Sequence, residues 1–293
     1  MVTPLPLGTF PTPLEEAPRL AAELGLAQLW IKRDDLIGLG GGGNKARKLR
    51  YSAAEALAAG ATTLVTTGAP QSNHARATAA VAARLGLGCV LVLAGEPDER
   101  DTGNLLLDRL AGAEIVWAGE RPTGEVAAEE AARRAGAFRI PFGGSSRTSM
   151  AAYAECGREL AGQAEFDRVV VAVGSGGTMA GLVAGLGAER VLGVDTGATP
   201  SGEEAVRALL PEGAGVLTVD RGQIGAGYAS VTEPVRAALR LAARTEGLFL
   251  DPIYTGRALA GLAAARPGGR VVFLHSGGLP GLFATAHEFR GIG

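Results

Sequence analysis

Short runs of β-branched and aliphatic residues alternate with alanine-rich stretches along most of this 293-residue chain. Leu64-Val65-Thr66-Thr67 stops at Gly68, and the stretch from Ser72 to Leu85 then reads as a helix. Cys89 to Leu93 ends at Ala94-Gly95 and is followed by a helix over Asn104 to Leu110. Glu114 to Trp117 precedes an alanine-rich helix near Glu125 to Arg134, and a long helix covers about Met150 to Leu160. Val169 to Val173 enters Gly174-Ser175-Gly176-Gly177, with a helix starting near Thr178, and Val191 to Val194 and Val271 to Leu274 repeat the strand pattern. These strands are apolar on both sides, which is the pattern of parallel sheets covered by helices on both faces. The fold class is α/β. In such folds ligands bind at the carboxyl ends of the strands, where several of these runs stop in glycine-rich turns.

Composition narrows the function classes. A hydrophobic content of 47% with 20% charged residues is that of a globular protein able to bury one large or two modest cores. A net charge of -2 leaves no basic footprint for nucleic acid and no polybasic signal for membranes. Cys89 and Cys156 lie far apart and in no CxxC, so each reads as a small buried hydrophobe rather than part of a disulfide or zinc site. The first residues carry neither a cationic nor an apolar leader segment, no apolar run is long enough to span a bilayer, and a cytoplasmic location is expected.

Candidate chemistry begins with an imbalance. The 28 basic residues include only three lysines, Lys32, Lys45 and Lys48, all in one short stretch. Guanidinium serves ion pairs but stays protonated, so it cannot replace a primary amine as nucleophile. Lys45 follows Gly40-Gly41-Gly42-Gly43-Asn44 at the opening of a helix, a setting that suits a Schiff-base lysine. Chance clustering, with Lys45 a solvated residue at a helix start, explains the count equally well. The loop Gly174-Ser175-Gly176-Gly177-Thr178 is a second candidate site. Its glycines let backbone N–H groups converge on an anion at a helix N-terminus, with the Ser175 and Thr178 hydroxyls adding donors. It is neither a P-loop nor a dinucleotide fingerprint, since Met179 stands where the latter needs glycine. A Schiff-base lysine together with a phosphate cradle points to pyridoxal 5'-phosphate as cofactor.

Four motifs then occur in register: Gly43-Asn44-Lys45-Ala46-Arg47-Lys48-Leu49, Gln71-Ser72-Asn73-His74, Gly174 to Thr178, and Asp251-Pro252-Ile253-Tyr254-Thr255-Gly256. With them the chain resembles the D-cysteine desulfhydrase and 1-aminocyclopropane-1-carboxylate deaminase family, pyridoxal-phosphate enzymes with the tryptophan synthase β-subunit fold. The resemblance runs from Pro4-Leu5 to His275-Ser276-Gly277-Gly278-Leu279-Pro280. It implies that Lys45 holds the cofactor, that Asn73 bonds its 3'-oxygen, that Gly174, Ser175, Gly176, Gly177 and Thr178 take its phosphate, and that Ser276 lies near its pyridine nitrogen. It places Gln71, Ser72, Asn73 and Tyr254 at the substrate, with Ser72 receiving the carboxylate while capping a helix, and makes Tyr228 a second substrate-facing tyrosine. His74 is expected to support the site from behind, and His275 and His287 to be structural. Asp34-Asp35 is read as a local charge and turn feature.

The resemblance also favours one branch. Deaminases carry glutamate at the position of Thr255, facing the pyridine nitrogen, and glutamine at that of His74; this chain has the desulfhydrase-like residues. The expected reaction is β-elimination on a small amino acid, most simply D-cysteine to pyruvate, sulfide and ammonia. Alternatives are 1-aminocyclopropane-1-carboxylate deamination to 2-oxobutyrate, a cysteine-synthase-like transfer, or L-cysteate cleavage if Arg147 points into the cleft. A non-catalytic pyridoxal-phosphate or amino-acid-binding protein is a further alternative. The resemblance implies a larger, discontinuous cofactor domain of residues 1–46 and 149–293, a smaller inserted α/β domain of residues 47–148, and a homodimer. No metal is expected.

Overall fold

The structure is a computed structural model and describes residues 2–97 and 101–289. In chain order, β1 (Leu14–Glu16), α1 (Pro18–Leu24) and β2 (Gln28–Arg33) lead through two short 3-10 turns into α2 (Asn44–Ala58). Next come β3 (Thr63–Gly68), α3 (Asn73–Leu85), β4 (Gly88–Leu93), α4 (Gly103–Leu110), β5 (Glu114–Trp117), α5 (Thr123–Ala132) and β6 (Ala137–Arg139). α6 (Arg147–Gln163) is followed by β7 (Arg168–Val173), α7 (Gly177–Leu186), β8 (Val191–Asp195), α8 (Gly202–Arg207) and β9 (Thr218–Asp220). α9 (Glu233–Glu246), α10 (Thr255–Ala265), β10 (Arg270–His275) and α11 (Leu279–Ala284) complete the described elements.

The strands form two sheets. One has six strands in the order β1-β2-β10-β7-β8-β9, and the other four in the order β5-β4-β3-β6. All pairs are parallel except β1 with β2. Side chains alternate between two cores, as the strand period requires. In β10, Val271 and Phe273 pack with α1, α9 and α10, whereas Val272 and Leu274 pack with α6 and α7. The four-stranded sheet repeats this: Leu64 and Leu91 face α2 and α3, while Val65, Val90 and Val92 face α5. The α/β class with parallel, helix-covered sheets is therefore observed. The strands read from the sequence are present, each within a residue or so of its expected bounds. β2, β1, β6 and β9 were not anticipated. The last three have only three residues each, and β2 ends in the charged pair Lys32-Arg33, which masks its apolar run.

A buried charge cluster joins the two sheets' helices. Arg47 on α2 donates from Nε and Nη2 to the two carboxylate oxygens of Asp34, at 3.0 and 2.8 Å, and from Nη1 to Glu159 on α6 at 2.7 Å. Tyr153 and Thr12 donate to the same Asp34 carboxylate, at 2.5 and 2.8 Å. Lys32 adds an ion pair to Glu159 at 3.0 Å. Asp34 and Asp35 open a 3-10 turn, as the sequence reading has it, but the Asp34 side chain is not local: it binds groups far along the chain, whereas Asp35 pairs with Arg33 two residues earlier. Burial alone would raise the Asp34 carboxyl, but the charge and hydrogen bonds of Arg47, with those of Tyr153 and Thr12, hold it below the usual carboxylate range.

Removing one partner of such a pair strands the other in a medium that cannot solvate it. Asp34→Ala is expected to cost about 3–5 kcal/mol of stability, measured by urea unfolding at neutral pH. Because the folded pKa is lowered, the parent's advantage is complete above the unfolded carboxyl pKa of about 4 and fades as pH falls through the lower folded value. A difference that stayed constant on acidification would remove Asp34 as its source.

Candidate active site

The sheets direct the carboxyl ends of their parallel strands at one cleft. The loops after β3, β7, β8 and β10 supply Ser72, Gly174 to Thr178, Gly197-Ala198 and Ser276-Gly277 to it. The cleft has two chambers that share Lys45, Asn73, Ser175 and Tyr254. The deeper one is lined by Asn44, the 174–178 loop and Ser276. The wider one, about 280 Å³, is lined by Ser72, His74, Thr123, Phe142, Gly143, Ala198 and Tyr228 among others.

Lys45 sits in the first turn of α2, where Gly40 to Gly43 all have positive φ. The glycines are required: a Cβ on Gly42 would stand 1.9 Å from the Asp35 carbonyl oxygen, and one on Gly43 2.9 Å from that of Ser276. Lys45 and Lys48 lie three residues apart and so share the cleft side of α2, while Arg47 points the other way into the charge cluster. Burial lowers the Lys45 pKa to about 8, partly offset by a hydrogen bond with Lys48. Lys48 is held well below the ordinary lysine range, by burial and then by the neighbouring amine, and donates to the Gly143 carbonyl at 2.6 Å and to Ser145 Oγ at 2.9 Å.

The 174–178 loop joins β7 to α7. Gly176 caps the helix with φ 84, and a Cβ there would lie 2.6 Å from the Ala205 carbonyl group, so the turn closes only with glycine. The first-turn amides of α7 have no acceptor one turn earlier, and Gly177 and Thr178, which carry two of them, line the chamber. Asn44 Nδ2 donates to Thr178 Oγ1 at 3.0 Å, tying the lysine helix to this loop. Ser145 Oγ lies 2.8 Å from Ser175 Oγ and accepts from the Gly177 amide at 3.2 Å.

On the other wall, Ser72 caps α3 by accepting from the Ala75 amide at 3.1 Å, which leaves its hydroxyl proton available. Asn104 donates to Asn73 Oδ1 at 3.0 Å, so the Asn73 amide presents its NH2 side to the cleft. Thr66 gives its one hydroxyl proton to the Ile140 carbonyl; its oxygen must therefore accept from His74 Nε2, at 2.8 Å. That fixes the tautomer, leaving His74 Nδ1 a bare acceptor with no protein partner among the described residues. Burial, then the charges of Lys45 and Lys48, hold this imidazole well below its ordinary pKa. Tyr228 and Tyr254 meet hydroxyl to hydroxyl at 2.6 Å, with rings 6.0 Å apart and nearly perpendicular. Burial raises both phenol pKa values, keeping them protonated.

Of the residues singled out in the sequence, Lys45, Ser72, Asn73, the 174–178 loop, Tyr228, Tyr254 and Ser276 all line the cleft. Gln71 does not. Its side chain is turned to α4, accepting from the Asn104 amide at 2.8 Å and donating to the Thr102 carbonyl at 3.0 Å. Thr255 is also outside the lining, fully buried with its hydroxyl donating to Asp251 at 2.7 Å. Arg147 is exposed at the start of α6 and lines neither chamber. His275 is buried behind Ser276, and His287 is exposed. Sequence reasoning missed Asn104, Lys48 and Ser145, whose significance lies in contacts about 30 to 100 residues away.

The family model for pyridoxal-phosphate dependent enzymes matches residues 5–277. The chain belongs to that family. Among its relatives, a D-cysteine desulfhydrase of Klebsiella pneumoniae is 39% identical, with 94% of this chain and 93% of that protein covered. A Pyrococcus abyssi protein provisionally named 1-aminocyclopropane-1-carboxylate deaminase is 40% identical, covering 94% and 92%. The crystal structure of an ACC deaminase homologue superposes with a TM-score of 0.91 at 34% identity, covering 98% of this chain and 95% of that one.

The residues present fit the family's cofactor. A buried amine of lowered pKa, a glycine cradle at a helix N-terminus and hydroxyl and amide donors line one narrow chamber. No carboxylate among the described residues lines it to repel a phosphate. The Lys45 pKa sets when the amine is free to react. Capture of pyridoxal phosphate by the apoprotein, followed by its protein-bound absorbance, is expected to accelerate roughly tenfold per pH unit below about 8 and to level off above. A rate still climbing near the ordinary lysine pKa of 10.5 would assign the capture to an exposed amine.

Proposed function

We propose that this pyridoxal-phosphate enzyme is a lyase that eliminates the β-substituent of a small amino acid with an uncharged side chain, D-cysteine giving pyruvate, sulfide and ammonia. The observation that carries the reading is the pairing, across one chamber, of a base and an acid. The Lys45 amine, partly neutral near pH 8, faces two protonated phenols, Tyr228 and Tyr254. When bound, the cofactor supplies an electron sink for the carbon beside the substrate amine. Lys45 holds the cofactor and takes the Cα proton. The Ser72 hydroxyl and the first-turn amides of α3 receive the substrate carboxylate. One phenol of the Tyr228–Tyr254 pair gives its proton to the departing sulfur. The Asn73 NH2 group would bond the cofactor's 3'-oxygen, the Gly174 to Thr178 loop would take its phosphate, and Ser276 would stand at the pyridine nitrogen. The working unit is two lobes, residues 1–46 with 149–293 and residues 47–148, in a homodimer.

Desulfhydration is preferred over cyclopropane opening because Ser276, which lines the narrow chamber and is the residue we assign to the pyridine end, offers a hydroxyl rather than a carboxylate. Thr255, at the position where deaminases carry glutamate, brings no carboxylate either, and its hydroxyl is taken by Asp251. Without a carboxylate to keep the ring nitrogen protonated the electron sink is weaker, which suffices for a substrate with an acidic Cα–H and a good leaving group. The relatives named D-cysteine desulfhydrase support the same choice. L-Cysteate loses its support, since exposed Arg147 offers a sulfonate nothing in the cleft.

A keto-acid assay on cofactor-loaded protein tests this. Pyruvate with stoichiometric sulfide is expected from D-cysteine, and none from L-cysteate. Lys45→Ala is expected to lose roughly 10²- to 10⁴-fold in turnover or more, because it loses a base and an anchor together. 2-Oxobutyrate from 1-aminocyclopropane-1-carboxylate at a higher rate than pyruvate from D-cysteine would overturn the proposal in favour of deamination.

A further inference from the structure

Arg257, in the first turn of α10, is completely buried yet forms no ion pair among the described residues. Its guanidinium is solvated by backbone carbonyls instead. One terminal nitrogen donates to the Thr196 carbonyl, and the other to those of Gly227, Tyr228 and Ser230, at 2.9, 2.9 and 2.7 Å. The nearby carboxylates are engaged elsewhere: Asp195 accepts the Gly197 and Gly202 amides, and Asp251 caps its own turn. A full charge placed in the interior without a counter-ion is costly unless dipoles converge on it, and here four do.

The carbonyls belong to the two loops that form the far wall of the wider chamber. Thr196 precedes the lining residues Gly197 and Ala198, and the other three carbonyls are those of Tyr228 itself and of Gly227 and Ser230 beside it. Arg257 itself is three residues after Tyr254, the last residue before α10. One side chain therefore binds the Tyr228 loop to the helix that carries Tyr254. The loop's own ties are slight: Ser230 Oγ reaches only the Ile224 and Gly227 carbonyls, at 3.1 and 3.0 Å. Only a group with several donors in a fixed fork can gather carbonyls from two loops at once.

We infer that Arg257 is a positioning residue that acts through Tyr228, holding its hydroxyl against that of Tyr254 so that the pair can protonate the leaving group. The inference rests on the β-elimination reading. In the step concerned the electron pair left at Cα by loss of its proton forms the Cα=Cβ double bond, the Cβ–S bond breaks with its pair on sulfur, a phenolic O–H bond breaks, and an S–H bond forms. The phenolate left behind accepts a hydrogen bond from the second tyrosine until solvent returns the proton. The Cα proton, taken by Lys45 on the opposite wall, does not depend on this clamp.

Leaving groups separate the two steps. Thiolate departs best with a proton, whereas the chloride of β-chloro-D-alanine departs without one. Arg257→Lys keeps the charge but loses the fork. On cofactor-loaded enzyme it is expected to lower kcat for pyruvate formation from D-cysteine roughly 10- to 100-fold, the scale on which misplaced catalytic groups act. Turnover of β-chloro-D-alanine is expected to stay within about twofold, as is the absorbance band of the bound cofactor. Tyr228→Phe should show the same selective loss, and Arg257→Lys added to it should cost little more. Equal slowing of both substrates would reduce Arg257 to a structural residue, and no slowing of either would show the clamp to be dispensable. Should the parent form pyruvate from neither substrate, the β-elimination reading itself falls and takes the inference with it. A parent active on both with a non-selective variant removes Arg257 alone.

Discussion

The position of Lys45 depends on a salt bridge on the opposite side of its helix. Arg47 and Lys45 are two residues apart on α2, about 200° around the helix, so whatever fixes one fixes the other. The bidentate bond to Asp34 and the second bond to Glu159 are directional, and they lock the rotation of α2 about its axis. An apolar contact in the same place could stabilise α2 as well, because burying charges costs nearly what pairing them returns. It would not fix the rotation as sharply. Through Glu159 and Tyr153 the same cluster holds α6, whose N-terminal turn adjoins Ser145 and so the phosphate-type loop. Position and orientation of both halves of the cleft trace back to one buried carboxylate.

The cleft's ionisation follows from burial. Lys45, Lys48 and His74 crowd together, and each is driven toward its neutral form. A surface cluster of the same residues would simply be positive. Here desolvation leaves amines able to act as nucleophile or base near neutral pH, and it leaves capacity to take up positive charge when an anion enters. The phenols on the far wall are shifted by the same cause in the opposite chemical sense, toward keeping their protons. One physical effect, acting on cationic and neutral acids, leaves the amines and the imidazole able to accept protons and the phenols holding theirs.

What could be read in the sequence was whatever is local. Strands with unbroken apolar runs, such as Val169 to Val173, declared themselves, and so did glycine turns followed by helices. β2 did not, because the residues that end it, Lys32 and Arg33, pair with Glu159 and Asp35 and are charged for that reason. Ser72 was legible because a helix cap is a local signal, and the capping residue lines the cleft. Gln71 misled because side chains of adjacent loop residues diverge, and its amide found α4 rather than the cleft. Asn104 and Arg257 were illegible in principle: one acts on a side chain 31 residues away, the other on backbone carbonyls about 30 and 61 residues away. Backbone acceptors leave no signature in composition.

The scarcity of lysine shows how far a compositional signal reaches. Lys32 and Lys48 are buried and Lys45 is half-buried in the cleft, so the count marks places where a compact ammonium fits and a guanidinium does not. It does not by itself mark chemistry. Lys32 is held by Glu159, the Thr12 carbonyl and Gln163, and has no free approach. Lys48 is neutral in tendency but gives two hydrogen bonds to fixed acceptors. Lys45 alone lines both chambers, and what separates it is the glycine run before it, which brings the Ser276 loop against the start of its helix. Where many donors must reach several acceptors, at Arg47 and Arg257, the chain has arginine. The choice of cation thus follows local geometry: a fork where backbone or carboxylate must be gathered, and a point charge where one amine must be buried and still free.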